Sequence, residues 1–446
     1  MTPTPMNTVQ IPSANRTASS WSVNVLTTNA AQGQKQENSL EGDADHVEGA
    51  AHPLHVLMFG WEYPPRGEGG LGVACAGLVK GLRSHGVNVT LVLPGERNDE
   101  GDDTLRVKST LHPYDDVMHG MRRNHAMDLH NLYGGDLGKA VSVFTDTAVR
   151  RTRHLKPDII HSHDWMTFGA GVMASRTIGR PFIAHVHSTE MDRTNGKPHE
   201  WIFGHEQWGM NHANHIIAVS RYTKNVLISS YGIPPEKITV IHNGAPIPPA
   251  KHLPKKDAKL RHPLVLFLGR LTVQKGPHEF LSAAKRVLEQ RSDVLFIVAG
   301  DGYMLRELIE RSCALGMQDS MLFTGKVGSE EARALYAEAD CFVMSSTSEP
   351  FGLVALEAIA HGTPVIVSKQ SGVSEVVAHA MAVDYWDSDK MADYILTILR
   401  EKPLSEQLSS EAQHVLHTLT WERQAQNVIA LYKTVIHSFA SVSTLA

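Results

Sequence analysis

The sequence predicts an α/β fold of two doubly wound parallel sheets, each in a domain of its own. Short apolar runs alternate with longer stretches of helical periodicity, which is typical of parallel strands covered by helices on both faces. These runs fall into two sets of six, separated by a proline-rich segment. A chain of 446 residues also exceeds one ordinary core and fits two domains.

The twelve apolar runs fix the order of the predicted elements. The first set is Leu54–Gly60, Asn88–Pro94, Asp158–His163, Phe182–His187, His215–Ser220 and Ile238–His242. The second set is Leu264–Leu271, Val294–Gly300, Met321–Gly325, Cys341–Ser346, Pro364–Ser368 and Met381–Tyr385. We therefore expect a first domain at 52–245, a stiff linker at 246–262, a second domain at 263–420 and a closing helix at 421–446.

Residues 1–51 differ in composition from the rest of the chain. They are rich in Thr, Asn, Ser, Gln and Ala, and they become acidic from Glu37 to Glu48. Such a segment buries too little apolar surface to offset its ordering entropy, so a disordered tail is predicted.

Charge and composition exclude several classes of protein. Lys+Arg number 42 and Asp+Glu 47, and the resulting net charge of −5 argues against a nucleic-acid-binding protein. The three cysteines are far apart and cannot form a disulfide framework, which indicates a reducing compartment. No apolar run suits a transmembrane helix, and the N-terminus lacks the pattern of a signal peptide. We expect a cytoplasmic location, while peripheral membrane contact and oligomeric state stay open.

Ligands of open α/β sheets bind beyond the carboxyl ends of the strands, so the residues after each strand are the candidates for chemistry. The first strand runs into a glycine-rich loop that contains Gly69 and Gly70 and precedes a helix. Such glycines let backbone N–H groups approach an anion. A tight strand–helix connection is the alternative interpretation.

Two cations follow the first strand of the second domain. Arg270 and Lys275 lie just beyond it, and Gly269 and Gly276 are their neighbours. A guanidinium fork and an ammonium group in this place can hold a diphosphate. Two solvated surface cations are the alternative, but the neighbouring glycines and the facing glycine loop favour the diphosphate site.

Two carboxylates follow a later strand of the same domain. Glu349 and Glu357 are eight residues apart and enclose Phe351–Leu353, while Pro350 suits the first turn of a helix. If both acids lie on that helix they are about 12 Å apart, beyond the roughly 5–9.5 Å of a glycosidase pair. That distance suits two ends of one long ligand with vicinal hydroxyls. The alternatives are an acid at a helix N-terminus and a solvated helix position.

Two further strand ends of this domain carry glycines that could line a nucleobase pocket with backbone groups. They are Gly300, followed by Asp301, and Gly325, followed by Lys326 and Val327. A plain turn is the alternative for each.

Histidine pairs end two strands of the first domain. His161 and His163 precede Asp164, and His185 and His187 end the next strand. Residues i and i+2 share one face of a strand, so each pair could chelate a metal, which suggests a metal-dependent hydrolase. Core histidines are a second interpretation. A third places His187 and Asp164 in the cleft beside a reacting sugar.

Together these motifs resemble those of retaining GT-B glycosyltransferases of the glycogen-synthase-like and family 4 kind. The resemblance covers residues 52–437, and its most specific element is the pair Glu349 and Glu357. His161–Trp165 is similar to the His-x-His-Asp-Trp motif of glycogen and starch synthases, and Trp421 to the start of a helix that crosses back onto the first domain.

The resemblance implies a role for each candidate. Arg270 and Lys275 would neutralise the diphosphate of the donor, Glu349 would hold the transferred sugar, and Glu357 would hold the ribose. The implied catalytic residues are His187, Asp164, Glu349, Arg270 and Lys275. The implied donor-binding residues are Gly69, Gly70, Arg270, Lys275, Gly300, Lys326, Val327, Glu349, Phe351, Gly352, Leu353 and Glu357.

We therefore expect a hexosyltransferase that uses a nucleotide-diphosphate sugar and a hydroxyl acceptor, such as an α-glucan or another glycan, and retains the configuration. Two cations at the diphosphate make a divalent metal unnecessary, and no cofactor is predicted. A metal-dependent hydrolase built on the histidine pairs is one alternative. An epimerase or a binding protein of the same architecture is another.

Overall fold

The computed structural model describes residues 52–65, 69–95, 104–109, 111, 137–245 and 262–443. Within these residues, thirteen strands form two sheets in which all neighbours pair in parallel, and the predicted fold class is confirmed. The predicted tail at 1–51 lies outside the described residues, as does the predicted linker at 246–262 except for its last residue. The domain boundaries stay a prediction.

The first sheet has the strand order β3-β2-β1-β4-β5-β6-β7. Its strands are β1 (His55–Phe59), β2 (Asn88–Pro94), β3 (Thr104–Val107), β4 (Ile159–His163), β5 (Phe182–Val186), β6 (His215–Ala218) and β7 (Ile238–Val240). The helices of this half are α1 (Gly70–Ser84), α2 (Leu137–Thr152), α3 (Trp165–Ile178), α4 (Glu190–Arg193), α5 (Glu200–His212) and α6 (Arg221–Ser229). The order reverses between β1 and β4, which is where ligands of such sheets bind.

The second sheet has the strand order β10-β9-β8-β11-β12-β13. Its strands are β8 (Leu264–Leu268), β9 (Leu295–Ala299), β10 (Met321–Gly325), β11 (Cys341–Met344), β12 (Val365–Ser368) and β13 (Met381–Val383). The later helices are α7 (Pro277–Gln290), α8 (Leu305–Ala314), α9 (Ser329–Glu338), α10 (Leu353–Ala360), α11 (Ser388–Arg400), α12 (Lys402–Gln413) and α13 (Trp421–Ser443). Its order reverses between β8 and β11.

Two expectations about local structure are wrong. The first sheet has a seventh strand, β3, whose sequence Thr-Leu-Arg-Val lacks a continuous apolar run because it contains Arg106. The guanidinium of Arg106 donates an N–H to the carbonyl of Pro94 at 2.9 Å. Helix α10 begins at Leu353 and not at Pro350, because Gly352 adopts a φ of 109° that ends the preceding loop. Glu349 and Glu357 therefore do not share a helix.

A capping hydroxyl, a proline and a glycine account for where three helices begin or end. The hydroxyl of Ser220 accepts the N–H of Thr223 at 2.9 Å and caps α6. Helix α7 begins with Pro277, whose missing N–H costs nothing in the first turn. Helix α3 ends at Gly179, where a φ of 73° suits glycine.

One face of the first sheet is covered by α1 and α13. Leu78 of α1 and Val428 of α13 join Val56, Ile159 and Ile183 of the strands in one apolar cluster. The two helices approach closely because α1 carries glycine at two contact positions. A Cβ atom on Gly81 would lie 2.6 Å from the carbonyl oxygen of Trp421.

We predict that Gly81→Ala lowers the free energy of unfolding by about 1–3 kcal/mol, the usual cost of overpacking a tight contact. The matched control is Gly204→Ala on α5, where a Cβ atom meets nothing within 4 Å. There we expect a gain of up to about 1 kcal/mol from helix propensity. Urea unfolding of both variants measures the difference, and two effects of the same sign would contradict this packing.

Candidate active site

The carboxyl ends of β8, β9 and β10 are tied together by glycine backbone. The N–H of Gly269 donates to the carbonyl of Ala299 at 3.0 Å, and the N–H of Gly300 donates to the carbonyl of Gly325 at 2.9 Å. Gly300 has a φ of 141°, and a Cβ atom there would lie 1.9 Å from the carbonyl oxygen of Gly269. Only glycine fits such a close approach. Beyond β10, Lys326 is exposed and Val327 is half-buried.

Lys275 and Glu349 form an ion pair at the centre of the second half. Lys275 ends a 3-10 turn after β8, and its Nζ donates to Glu349 Oε2 at 2.6 Å. The hydroxyl of Ser346 donates to the same carboxylate oxygen at 3.0 Å. Gly276 follows with a φ of 62°, and a Cβ atom there would lie 2.0 Å from the carbonyl oxygen of Ser345. The structure thus brings Lys275 and Glu349, two of the residues that the sequence singles out, into direct contact.

A small cavity opens beside this ion pair. Its lining includes Gly269, Lys275, Ser346 and Glu349. Arg270 follows Gly269 directly and is half-buried. The cavity thus lies at the carboxyl ends of β8 and β11, where the order of the second sheet reverses.

The loop that carries Glu349 is held by the turn after β12. The N–H of Glu349 donates to the carbonyl of Gln370 at 2.9 Å, and its carbonyl accepts the N–H of Gly372 at 3.0 Å. The carbonyl of Phe351 accepts the N–H of Val373 at 2.6 Å. These bonds fix residues 349–351 against the turn after β12, and Gly352 and Leu353 follow at the N-terminus of α10.

Glu357 does not occupy a solvated position. It lies on α10 and accepts the hydroxyl hydrogen of Tyr336 at 2.9 Å through Oε2. Burial raises the pKa of this carboxyl, and the hydrogen bond from Tyr336 opposes the rise. Tyr336 of α9 thus holds the carboxyl of Glu357 in place.

Asp164 joins the ends of β4 and β5 in the first half. Its Oδ1 accepts the backbone N–H of His187 at 2.7 Å and, more weakly, that of Ser188 at 3.4 Å. The backbone of Asp164 has φ 57° and ψ 170°, a sparsely populated conformation that costs about 1–3 kcal/mol for a residue other than glycine. Burial raises the pKa of Asp164 to about 7 although these hydrogen bonds and Arg193 oppose the rise.

The four predicted histidines come together on one face of the first sheet. His161 Nε2 lies 3.1 Å from His185 Nδ1, and His163 Nδ1 lies 2.9 Å from His187 Nε2. All four are buried, and burial lowers the pKa of each below its usual value. The imidazole of His187 is thus engaged with His163, and its backbone is the part that contacts Asp164.

Residues without a predicted role connect the two halves. The hydroxyl of Ser348 donates to Asp192 Oδ1 at 2.6 Å and lies 2.9 Å from the hydroxyl of Tyr222. Glu375 accepts the backbone N–H groups of Arg221 and Tyr222 at 2.9 and 2.6 Å. Ser348 is adjacent to Glu349, so these bonds bring the loop of the ion pair against the first half.

A buried network of acids, an arginine and a tyrosine holds helix α4, which carries Asp192. The guanidinium of Arg193 donates to Glu190 Oε2 at 3.0 Å and to Glu206 Oε1 at 2.5 Å. The hydroxyl of Tyr231 also donates to Glu206. Burial raises the pKa of Glu206, and Arg193 opposes the rise. Helix α4, to which these residues belong in part, contacts the turn that ends in Lys275.

The predicted glycine loop is described only in part. Gly69 precedes α1 and its carbonyl accepts the N–H of Val73 at 3.1 Å, while Gly70 is the first residue of the helix. A Cβ atom on Gly70 would meet nothing within 4 Å. Residues 66–68 lie outside the described part of the chain. Contact of this loop with a phosphate stays a prediction.

These features define a GT-B glycosyltransferase: two parallel sheets with cations and carboxylates beyond the strand ends. A profile described as "Glycosyl transferases group 1" matches residues 250–415, and one described as "Glycosyltransferase Family 4" matches residues 68–247. The chain belongs to the family 4 glycosyltransferases and is an enzyme that transfers glycosyl groups. The metal-dependent hydrolase alternative is therefore not retained.

Three similar proteins illustrate the relationship. An uncharacterized glycosyltransferase of Methanocaldococcus jannaschii is 30% identical over 407 residues, which are 85% of this chain and 98% of that protein. Glycogen synthase of Mycobacterium tuberculosis is 30% identical over 347 residues, 73% of this chain and 80% of that protein. Anabaena HepE, solved with UDP and glucose, has a TM-score of 0.65 at 18% identity over 85% of this chain and all of its own.

Within the described ranges, no helix combines the length and the apolar character needed to cross a bilayer. The expected cytoplasmic location stays a prediction.

We predict that Asp164→Asn removes a pH-dependent loss of stability. The pKa of this carboxyl is near its ordinary value of 3.8 in the unfolded chain and about 7 in the folded protein, so between these pH values the folded state holds an extra proton. This term therefore lowers the free energy of unfolding as pH rises through that window, by about 1.4 kcal/mol per pH unit at most.

Urea unfolding at several pH values from 4 to 8 measures this difference. Relative to Asp164→Asn, the wild type should lose stability up to about pH 7 and then stay level. The exposed Asp393→Asn on α11 is the matched control for loss of one carboxylate. Parallel curves for the wild type and Asp164→Asn would contradict the raised pKa.

Proposed function

We propose that the protein transfers a hexosyl group from a nucleotide-diphosphate sugar to a hydroxyl of a glycan or small acceptor, with retention of configuration and without a divalent metal. One observation carries this proposal: the Lys275–Glu349 ion pair in the cavity at the switch point of the second sheet. It places a cation for phosphate next to a carboxylate for sugar hydroxyls.

The difficult step is departure of the nucleoside diphosphate. The bond between the anomeric carbon and the phosphate oxygen breaks, and negative charge grows on the diphosphate. Lys275 and Arg270 supply positive charge at that point, and preorganised charge of this kind lowers the barrier. Two cations fulfil the role that a divalent metal has in other transferases.

Retention follows when the acceptor oxygen attacks from the face that the diphosphate leaves. A new bond forms between the anomeric carbon and this oxygen, and the hydroxyl proton passes to a phosphate oxygen of the leaving group. Glu349 holds the sugar through its hydroxyls, with the backbone of Phe351, Gly352 and Leu353 beside it. Asp164 orients the backbone at His187, on the side from which the acceptor enters.

The donor is a nucleotide sugar recognised at both ends. Anabaena HepE, which shares the fold, was solved with UDP and glucose, and this supports a glucosyl donor with a uridine or similar nucleotide. Glu357 would accept the ribose hydroxyls, and the strand ends at Gly300, Lys326 and Val327 would border the base. Similarity to a glycogen synthase supports a glycan as acceptor.

An epimerase or a sensor of the same architecture would bind the same donor. Neither needs an acceptor, whereas the proposed transferase releases nucleoside diphosphate in proportion to the acceptor consumed. Membership of a glycosyltransferase family favours transfer.

We predict that Lys275→Ala and Arg270→Ala each lower kcat/KM by about 100-fold or more, the scale of one lost transition-state donor. Removing Lys275 also leaves the buried Glu349 without its cation, which costs about 3–5 kcal/mol of stability. The double variant Lys275→Ala/Glu349→Gln separates these effects, because it removes the stranded charge and should recover stability without recovering activity.

The controls are Lys285→Ala and Arg306→Ala, which remove the same groups from surface ion pairs with Glu289 and Glu310. Both should keep kcat/KM within about twofold, since exposed pairs contribute little. Unchanged kinetics in Lys275→Ala and Arg270→Ala would overturn the diphosphate role.

We predict that one class of UDP-, ADP- or GDP-sugar raises Tm, because a ligand that binds only the folded state stabilises it by mass action. Incubation of that donor with glycan acceptors, without added Mg²⁺ or Mn²⁺, should release nucleoside diphosphate and form a glycoside with the donor's anomeric configuration, read by NMR. Inversion, or turnover only with added metal, would refute the finer proposal, and donor conversion without acceptor would indicate the epimerase.

A further inference from the structure

Buried histidines of the first sheet lie on a sheet face whose other buried side chains are mostly apolar. We define the cluster as His161 and His163 on β4 with His185 on β5. Their strands contribute Ile159 and Ile183 to the apolar core between this face and the helices α1 and α13. The three imidazoles are at most 4% exposed. Burying polar rings here is costly unless they find partners.

Neighbouring strands bring the three rings into contact. His163 and His185 are paired residues in the parallel register of β4 and β5, and residues i and i+2 of a strand share one face. The ring centroids of His161 and His163 are 4.6 Å apart, and those of His163 and His185 are 5.1 Å apart. One nitrogen from each ring lies within 4.8 Å of the others.

Hydrogen bonding between the rings leaves buried nitrogens without partners. Nε2 of His163 and Nε2 of His185 have none, and neither has Nδ1 of the neighbouring His187. A buried nitrogen without a partner is rare and calls for an explanation. A neutral imidazole has one N–H and one lone pair, so the ring contacts alone cannot satisfy the cluster.

We propose that His161, His163 and His185 bind one transition-metal ion of the Zn²⁺ class as a structural site. Zn²⁺ binds imidazole nitrogens at about 2.0–2.1 Å, so two ligand nitrogens of a tetrahedral site lie about 3.3 Å apart. The 3.1 Å between His161 Nε2 and His185 Nδ1 already matches this spacing. An ion at that point binds both nitrogens through their lone pairs, and the proton that they share moves to the other nitrogen of its own ring. A nitrogen of His163, within 4.8 Å of the other two, is the third ligand.

Tyr432 supports this assignment from α13. Its hydroxyl lies 2.5 Å from His161 Nδ1 and is buried with it. Ligand histidines usually hydrogen-bond through the ring nitrogen that does not touch the metal, which fixes tautomer and orientation. Tyr432 is therefore a positioning residue, and the ion would join β4, β5 and α13. None of the three histidines has a role in the transfer chemistry proposed above, although His163 contacts the imidazole of His187.

The test uses the full chain, freed of metal by a chelator and then dialysed. Titration with Zn²⁺ should load about one ion per chain by elemental analysis and raise Tm. Titration with Co²⁺ should give the intense visible bands of a tetrahedral nitrogen site in the wild type. Transfer activity of the metal-free protein below its Tm should equal that of the loaded protein, so failure of this proposal leaves the proposed function intact.

Three variants and one control locate the ion. His163→Gln and His185→Gln should lose the Zn²⁺-dependent rise in Tm, and Tyr432→Phe should weaken binding by about 10–100-fold. His215→Gln on β6 is the matched control, since its Nε2 lies 2.8 Å from Thr239 Oγ1 outside the cluster, and it should bind as the wild type does.

Binding that persists in both cluster variants would assign the ion to surface histidines and overturn the proposal. Only the weak bands of octahedral Co²⁺ in the wild type would overturn it as well. That second measurement needs no variant, so the proposal is decided even if the substituted proteins fail to fold.

Discussion

The contact between Lys275 and Glu349 is the constraint on which the geometry of the candidate site in the second half depends. It joins the turn after β8 to the loop after β11, two neighbouring strands at the point where the sheet order reverses. A buried carboxylate in that loop needs a cation, because an unpaired buried charge is strongly destabilising. The same ammonium is the one a donor diphosphate would attract. If the donor binds as we propose, its diphosphate would compete with Glu349 for the ammonium of Lys275. The carboxylate of Glu349 would then be able to accept hydrogen bonds from the sugar.

The segments that carry this ion pair also contact the first half of the chain. Ser348, next to Glu349, donates to Asp192 of the first half, and α4 contacts the turn that ends in Lys275. In the first half, the backbone of Asp164 is strained, and its carboxylate accepts the backbone N–H of His187. Strain and buried acids of this kind persist only where packing overdetermines them. Here the core around Trp165 and Phe168 of α3 supplies that packing.

The sequence predicts the strands well because continuous apolar runs mark buried parallel strands, but eight of the twelve predicted strands end one to three residues earlier than expected. Leu264–Leu271 becomes Leu264–Leu268, since Arg270 and its neighbours serve the loop beyond the strand. The missed strand β3 has only four residues. The positions of candidate site residues such as Lys275 and Glu349 are predictable because these residues follow strands. The residues that join the halves were missed because Asp192 and Ser348 are 156 positions apart, and no local pattern reports such a contact.

The histidine pairs show where local spacing stops being informative. Alternation along each strand predicts that both members of a pair share one face, and either pair alone could be a chelate or part of a core. Parallel register decides how the pairs combine, because it sets His163 beside His185 and brings His161 within reach. The hydroxyl that orients His161 comes from α13, 271 positions further along. A ligand set of this kind is assembled by topology, so its chemistry can be argued only once the sheet order is known.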